Sequence, residues 1–254
     1  MPDMKLFQLA LGHSGPVEFA RNVLGFDADA RQAEVLGCRD RQVILNCTRQ
    51  WGKSTVTAAR AVWQAWTRPE SLVLVVSPCE RQSNELVRKA HGLVSNAGVR
   101  AKGDGQNRCS LVLPNGSRII GLPSDEGKVR GFSSVSLLVI DEASRVPEDL
   151  YRAMRPVLAV SGGDLWLMST PNGRRGFFWD VWSRGGPGWT RVSVPATECS
   201  RIPAEFLEAE RETHPEEWYR QEYLCEFVQE HESLIDRELL EAALTDDFGP
   251  LWTD

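Results

Sequence analysis

Lysine is scarce in this 254-residue chain. Only five of its 29 basic residues are lysines (Lys5, Lys53, Lys89, Lys102 and Lys128), so a lysine at a chemically telling position stands out. A basic excess is missing as well: 35 acidic residues against 29 basic ones leave a net charge of −6. That balance excludes a uniformly basic nucleic-acid coat and confines any DNA contact to a local patch on an acidic body. Six cysteines (Cys38, Cys47, Cys79, Cys109, Cys199, Cys225) form no C-x-x-C pair, and no histidine is placed to complete a zinc site. Free thiols in a reducing compartment are the simplest account. Long apolar runs are absent, and the N-terminus lacks the charged region, apolar stretch and small-residue cleavage site of a secretory signal. The expectation is a soluble cytoplasmic protein with no membrane partner. No internal repeat or low-complexity tract is present.

What is present is ordinary globular composition, 42% hydrophobic and 25% charged residues, in a length that suits one large domain or two small ones. Short β-branched runs alternate with longer stretches of helical spacing, the pattern of a sheet with covering helices. Val43-Ile44-Leu45 reads as a buried strand and Ser54 to Trp66 as a helix, with Val56, Ala59, Val62, Trp63 and Trp66 recurring at steps of three and four. A strand at Leu72 to Val76 and a helix at Glu80 to Val94 repeat the unit. Leu111-Val112-Leu113 and Arg118-Ile119-Ile120 flank Pro114-Asn115-Gly116, and Asn-Gly tolerates the positive φ angles of a tight hairpin. A strand at Leu137 to Ile140, a helix from Pro147 to Leu158 and a strand at Leu165 to Met168 follow, with Pro147 suited to a first helical turn. Beyond Pro171 the chain is less regular. It holds a strand at Arg191 to Val194, short helices at 203–212 and 215–224, a candidate last strand at Glu226-Phe227-Val228, and an acidic segment from Gln229 onward.

Two motifs carry chemistry. Cys47-Thr48-Arg49-Gln50-Trp51-Gly52-Lys53-Ser54 joins the first strand to the first long helix, where unpaired N–H groups and the positive end of the dipole face a phosphate chain. Gly52 lets the backbone approach, Lys53 reaches the β and γ phosphates, and the Ser54 hydroxyl coordinates Mg2+. Cys47 stands where the nucleotide-binding loop pattern has its first glycine, so the turn must leave the strand without a free φ. Taken alone, Gly-Lys-Ser fits an ordinary serine-capped helix start equally well. The second motif is Leu137-Leu138-Val139-Ile140-Asp141-Glu142, an apolar strand ending in two acids. Asp141 there would hold magnesium and Glu142 would orient and deprotonate a water, although an N-cap followed by a first-turn acid is the commoner use of such a pair. The two motifs in this order point to a magnesium-dependent nucleoside triphosphatase.

Thr48-Arg49-Gln50-Trp51-Gly52-Lys53-Ser54-Thr55, Asp141-Glu142-Ala143-Ser144 and Ser169-Thr170-Pro171-Asn172-Gly173 together resemble the large terminase subunit of tailed bacteriophages, from about Phe26 to Leu244. The resemblance implies an α/β fold: a RecA-like P-loop NTPase of the additional-strand (ASCE) type, with a predominantly parallel central sheet, flanking helices and an added β-hairpin. It implies ATP and Mg2+ as cofactors and a motor that moves double-stranded DNA into a procapsid as a homo-oligomeric, pentameric ring, with a portal and a small terminase subunit as partners. Residues 1–228 would be the ATPase domain, with a helical arm over about 1–25 and a lid-like subdomain over about 172–228. Residues 229–254 would be a linker toward a nuclease domain. Since the chain stops about where that domain would begin, no nuclease activity is expected of it.

By the same resemblance, residues 48–55 bind nucleotide, Gln32 in Asp29-Ala30-Arg31-Gln32 recognises adenine, and Ser169-Thr170-Pro171 couples hydrolysis to DNA movement. Arg31 stands where relatives often carry Trp. Arg130, in Lys128-Val129-Arg130-Gly131-Phe132, falls where the family carries an arginine reaching a neighbouring subunit's nucleotide, and Arg49 is its rival within the loop. Arg100 to Arg108 and Arg174-Arg175 are the candidate DNA contacts. The alternative is a helicase-like or repair ATPase, which normally completes its site with a second RecA-like domain.

Overall fold

The structure is a computed structural model that describes residues 15–124 and 131–229. In chain order its elements are α1 (Pro16–Asn22), α2 (Ala30–Gly37), β1 (Gln42–Cys47), α3 (Lys53–Thr67), β2 (Leu72–Ser77), α4 (Glu80–Asn96), β3 (Ser110–Val112), β4 (Arg118–Pro123), β5 (Val135–Asp141), α5 (Glu148–Met154), β6 (Asp164–Ser169), α6 (Gly176–Arg184), β7 (Thr190–Val194), α7 (Ala204–Thr213) and α8 (Glu216–Glu222). Single 3-10 turns lie at Ala143–Arg145, Arg155–Leu158 and Ala196–Glu198. The strands form one sheet in the order β3-β4-β2-β5-β6-β1-β7, parallel except for β3, which pairs antiparallel with β4 at the edge.

The central strands β2, β5 and β6 are buried along their whole length, as a parallel sheet covered on both faces requires. Successive side chains alternate between two cores. Val73, Val75, Leu137, Val139, Trp166 and Met168 face the helices α3 and α4. Leu72, Leu74, Val76, Leu138, Ile140 and Leu167 face the opposite layer of Leu150, Met154, Phe177 and Phe178. Burying β-branched and leucine side chains on both faces stabilises the fold by about 1.5–3 kcal/mol per fully buried side chain. The carboxyl ends of four adjacent parallel strands, β2, β5, β6 and β1, therefore lie side by side at one edge of the sheet.

Several local expectations differ from the structure. The 113–117 connection forms the expected tight hairpin turn, but with positive φ at Gly116 and not at Asn115: Gly116 N–H donates to Leu113 O at 3.0 Å, Leu113 N–H donates to Ser117 O at 2.9 Å, and Gly116 takes φ 82°. Pro114, with φ held negative, cannot start a turn that needs positive φ at both central residues. Asn115 instead donates to the carbonyls of Ala65 and Trp66, closing the end of α3. Pro147 is the N-cap of α5, at φ −59° and ψ 142°, rather than inside its first turn. The α-helix stops at Met154 and continues as a 3-10 turn, because Pro156 has no N–H to give to the carbonyl four residues back. Glu226-Phe227-Val228 joins no strand: Phe227 is used as a plug, its ring centroid 4.8 Å from Trp179, 5.9 Å from Trp182 and 6.0 Å from Phe178. Of the expected arm and linker, residues 1–14 and 230–254 lie outside the described residues.

Candidate nucleotide site

The loop from Thr48 to Gly52 leaves β1 and opens α3. Cys47 is fully buried as the last residue of the strand, and the left-handed turns fall later, at Gln50 (φ 64°) and Gly52 (φ 96°). The loop thus makes its turn without a glycine at its start. A side chain on Gly52 would put a Cβ 2.8 Å from Gln32 Nε2. The loop is held from outside: Trp51 O accepts from Gln32 Nε2 at 3.0 Å and from Arg201 Nη2. Gln32 is 4% exposed, and its Oε1 accepts from Asp29 N–H at 3.1 Å in a capping box that starts α2. Both ends of its amide are engaged, so adenine contact by Gln32 requires exchange of these bonds. Trp51 sits 1% exposed in the core, with its backbone rather than its indole available to the loop. Arg31 is drawn away toward Glu34, Glu198 and Ser193 O.

β6 lies between β1 and β5 and is hydrogen-bonded to both, so the loop strand and the acid strand end two strand spacings apart, about 9–10 Å. Lys53 spans that gap. Its Nζ lies 3.2 Å from Glu142 Oε1. Glu142 adopts φ 48° and ψ 44°, a left-handed conformation that costs a non-glycine residue about 1 kcal/mol or more. Two local bonds hold it there: its N–H donates to Asp141 Oδ1 at 2.9 Å, and its carbonyl accepts from Arg145 N–H at 2.9 Å. Ser169, at the end of β6, meets Ser144 with 2.7 Å between hydroxyl oxygens, tying the intervening strand to the acid turn. Thr170 Oγ1 is buried with no protein partner, and Pro171 is buried beside it.

Ser54 and Thr55 occupy the first turn of α3, where Thr55 N–H donates to Gly52 O at 2.9 Å. Asp141 is 6% exposed; burial, then repulsion from Glu142, pushes its carboxyl up to about 6, against the opposing pull of Lys53. A buried carboxyl so disfavoured as an anion fits a cation. Among the described residues no cluster of three or more Asp, Glu, His or Cys could hold a metal by itself. That suits Mg2+, which is commonly held by one or two protein oxygens together with substrate phosphates and water. Because the folded protein holds the Asp141 proton more tightly than the unfolded chain does, the contribution of this group is fully present only below about pH 3.8. It is lost as pH rises through about 6. Asp141→Asn is therefore expected to stabilise the metal-free, nucleotide-free protein by up to about 3 kcal/mol at pH 8 and by nothing near pH 4, read from urea midpoints at the two pH values.

Three participants have no motif to announce them. Arg145 Nη1 lies 3.8 Å from Glu142 Oε2, and its Nη2 lies 4.0 Å from Glu222 Oε1. Glu222, on α8 and 8% exposed at its side chain, also pairs with Arg49 Nε at 2.9 Å, while its carbonyl accepts from Thr48 Oγ1 at 3.1 Å. Arg201 grips the loop carbonyl of Trp51. The i, i+3 step from Glu142 to Arg145 was open to inspection in the sequence; nothing local singles out Glu222 or Arg201. Lys53, Glu142, Arg145, Glu222 and Arg49 thus alternate in charge along a path that leaves the phosphate loop region at Lys53, touches the C-terminal helix at Glu222 and returns to the loop at Arg49. Removing one member leaves its neighbours uncompensated: Glu222→Gln is expected to cost about 1–3 kcal/mol of unfolding free energy, the lower half if solvent takes over Arg49, which is 63% exposed at its side chain. An unchanged urea midpoint would remove Glu222 from the network.

Arg130 lies outside the described residues. In the 100–108 segment Asp104 gathers N–H and O–H donors from Gln106, Asn107 and Ser110. Burial opposes its ionisation, but those bonds prevail and bring the carboxyl to about 2. Arg108 in this segment pairs with Glu80 at 3.3 Å. Arg174 donates to Phe227 O at 3.0 Å, and Arg175 is exposed with a partner of its own.

A glycine-containing loop at the end of β1, an acid pair at the end of β5 and a strand with hydroxyls between them lie on the mostly parallel sheet of a RecA-like fold. Residues 44–242 match the family model for the N-terminal part of the terminase large subunit, T4-like virus type. The chain belongs to that family. It is 24% identical over 223 residues to the terminase large subunit of Thermus virus P23-45, covering 74% of this chain and 46% of that protein. Against the terminase large subunit of Escherichia phage T5 the identity is 25% over 196 residues, covering 74% and 44%. The chain therefore spans a little under half the length of these relatives. In three dimensions it superposes on the Thermus phage P74-26 large terminase ATPase domain with a TM-score of 0.74 at 20% identity, covering 85% of this chain and all of that one. It also superposes on the large terminase from a thermophilic bacteriophage in complex with ADP, with a TM-score of 0.67 at 15% identity, covering 78% and 53%. The RecA-like expectation, with a mostly parallel sheet and an edge hairpin, agrees with this.

Proposed function

We propose that this chain is the ATP-hydrolysing motor portion of a bacteriophage DNA-packaging terminase. The carrying observation is the 3.2 Å pair between Lys53 and Glu142 across the end of β6. A polyphosphate entering at the start of α3 offers Lys53 more negative charge than one carboxylate does, so Lys53 turns to the β and γ phosphates. Glu142, released from Lys53 and still fixed by its left-handed backbone, is then free to accept a proton from a water in line with the γ phosphate. Ser54 and Asp141 would hold Mg2+, which supplies neutralisation of phosphate charge when bound. The buried Thr170 hydroxyl, with Ser169 bonded to Ser144, would register whether the γ phosphate is present and pass that along β6.

Arg49, itself part of the loop, is held by Glu222, so binding of the γ phosphate and the position of α8 would compete for one guanidinium. Arg130 is proposed to act on a neighbouring subunit's nucleotide. Double-stranded DNA, a homo-oligomeric ring, a portal, a small terminase subunit and a cytoplasmic location in the infected host belong to the same proposal. The test is release of inorganic phosphate from ATP with Mg2+, with and without duplex DNA. Magnesium-dependent turnover that duplex DNA accelerates is expected; ATP binding without turnover under both conditions would reduce the chain to a nucleotide-binding module.

A further inference from the structure

At the opposite end of the sheet, β1 and β6 begin, and a second charged site is built there. A strand of six residues places it about 17–20 Å from the phosphate loop. A hollow of about 490 Å3 is walled by Arg39, Arg41, Arg60 and Arg68, with Asp164 as the one acid in its lining. Arg60 is 4% exposed and fixed: its Nη1 donates to Cys38 O at 2.8 Å, and its Nη2 lies 3.4 Å from Asp164 Oδ2. It lies over the rings of Trp63 and Trp166, 4.7 and 5.3 Å from their centroids. Asp164 is thus consumed by Arg60, and the charges of Arg39, Arg41 and Arg68 remain without an acceptor among the described residues. Two buried donors of lining residues, Arg60 Nε and Trp63 Nε1, also lack one.

The arrangement is not a loose surface cluster. Arg41 packs against the bare backbone of Gly162 (φ 57°), where a Cβ would stand 2.6 Å from Arg41 Nη2. The same two residues line an adjoining hollow that adds Arg155. Burial opposes the charge of Arg60, and Arg68 adds to that opposition against the larger pull of Asp164. Three unpaired guanidinium groups round one concavity repel one another, and an anion relieves that repulsion. Several guanidinium groups lining one hollow suit an ion with acceptor oxygens on several sides, as a tetrahedral phosphate has and a planar carboxylate does not.

We infer that this basal arginine hollow is a phosphate-binding site, separate from the nucleotide site, that takes the oxyanion of a DNA backbone phosphate or of free phosphate. The inference uses nothing from the nucleotide reading and stands if that reading fails. The chain carrying Lys53→Ala, which silences the phosphate loop, is titrated with inorganic phosphate followed by 31P line width. It is compared with the same chain carrying Arg41→Gln and Arg68→Gln as well. Both arginines are exposed, and matching thermal melts establish that the fold is intact. In parallel, binding of a short duplex DNA is measured by fluorescence anisotropy over a salt series.

Phosphate binding that weakens tenfold or more in the double arginine variant, with an unchanged DNA salt slope, identifies free phosphate as the ligand. A log–log salt slope smaller by about 2 in that variant identifies the DNA backbone, whatever free phosphate does. Equal phosphate binding and equal DNA slopes in the two proteins overturn the inference. So does a poly-glutamate peptide that binds through these arginines while phosphate and DNA do not.

Discussion

Glu142→Gln lowers ATP turnover by about a hundredfold to ten-thousandfold while ATP affinity stays within a few-fold of the unsubstituted chain. The amide keeps the size of the side chain and its place in the left-handed turn, which depends on the backbone N–H to Asp141 and the carbonyl to Arg145 rather than on the carboxylate. What it loses is the ability to take a proton from water. It also loses the charge that attracts Lys53 at 3.2 Å and Arg145 at 3.8 Å. Lys53 is then freer to meet phosphate, so the nucleotide dissociation constant should stay level or fall slightly. Single-turnover hydrolysis and equilibrium binding of a fluorescent ATP analogue separate the two effects. Turnover near that of the unsubstituted chain would mean that another group takes the proton, and Glu142 would revert to a structural acid at the head of a 3-10 turn.

Lys53→Ala acts on the other side of the same pair and should affect binding first. Its ammonium is 10% exposed at the side chain and faces one carboxylate in the absence of ligand. Losing a desolvated charged donor to a phosphate costs about 2–5 kcal/mol, so ATP affinity should fall by about thirtyfold to several thousandfold and turnover should become undetectable. The variant also leaves Glu142 with Arg145 as its only cation partner in the described network, and like-charge repulsion between Glu142 and Asp141 is less well offset. Asp141 should therefore hold its proton still more tightly, and the variant should lose stability toward high pH rather than low. Calorimetric titration with ATP checks the affinity. An affinity equal to that of the unsubstituted chain would detach the loop from phosphate recognition altogether.

The two variants together test a chain of alternating charge more than two isolated residues. Glu142 is shared between Lys53 and Arg145, and Glu222 between Arg145 and Arg49. A double-mutant cycle on Glu142→Gln and Glu222→Gln should be non-additive, because both carboxylates are coupled through one guanidinium. Through this arrangement a phosphate arriving at the start of α3 can alter the hold on α8, which is remote in the chain but lies against the same loop.

Much of the scaffold was written in short-range pattern. The run Leu137 to Ile140 had to be a strand because four consecutive apolar residues bury on both faces, and the acids that follow had to fall at its carboxyl end. The step from strand to Gly52-Lys53-Ser54 to helix was equally local. The loop's missing first glycine was no obstacle, since left-handed backbone was needed at Gln50 and Gly52 and not at Cys47. Local pattern failed where competing contacts decided the outcome. Asn115 capped a helix from within the hairpin turn, leaving positive φ to Gly116 alone, and Phe227 entered an aromatic cluster instead of a strand.

The amino-acid order alone determined the period of each segment, the phosphate loop and the acid pair, because these depend on residues adjacent in the chain. Only the tertiary structure decided that β6 separates the loop from the acids. It alone decided that Lys53 bridges the gap to Glu142, that Glu222 and Arg201 reach back to the loop, and that four arginines surround a hollow at the far end of the sheet. Strand order and long-range charge pairing are set by which surfaces find complementary burial. No window of neighbouring residues contains that information.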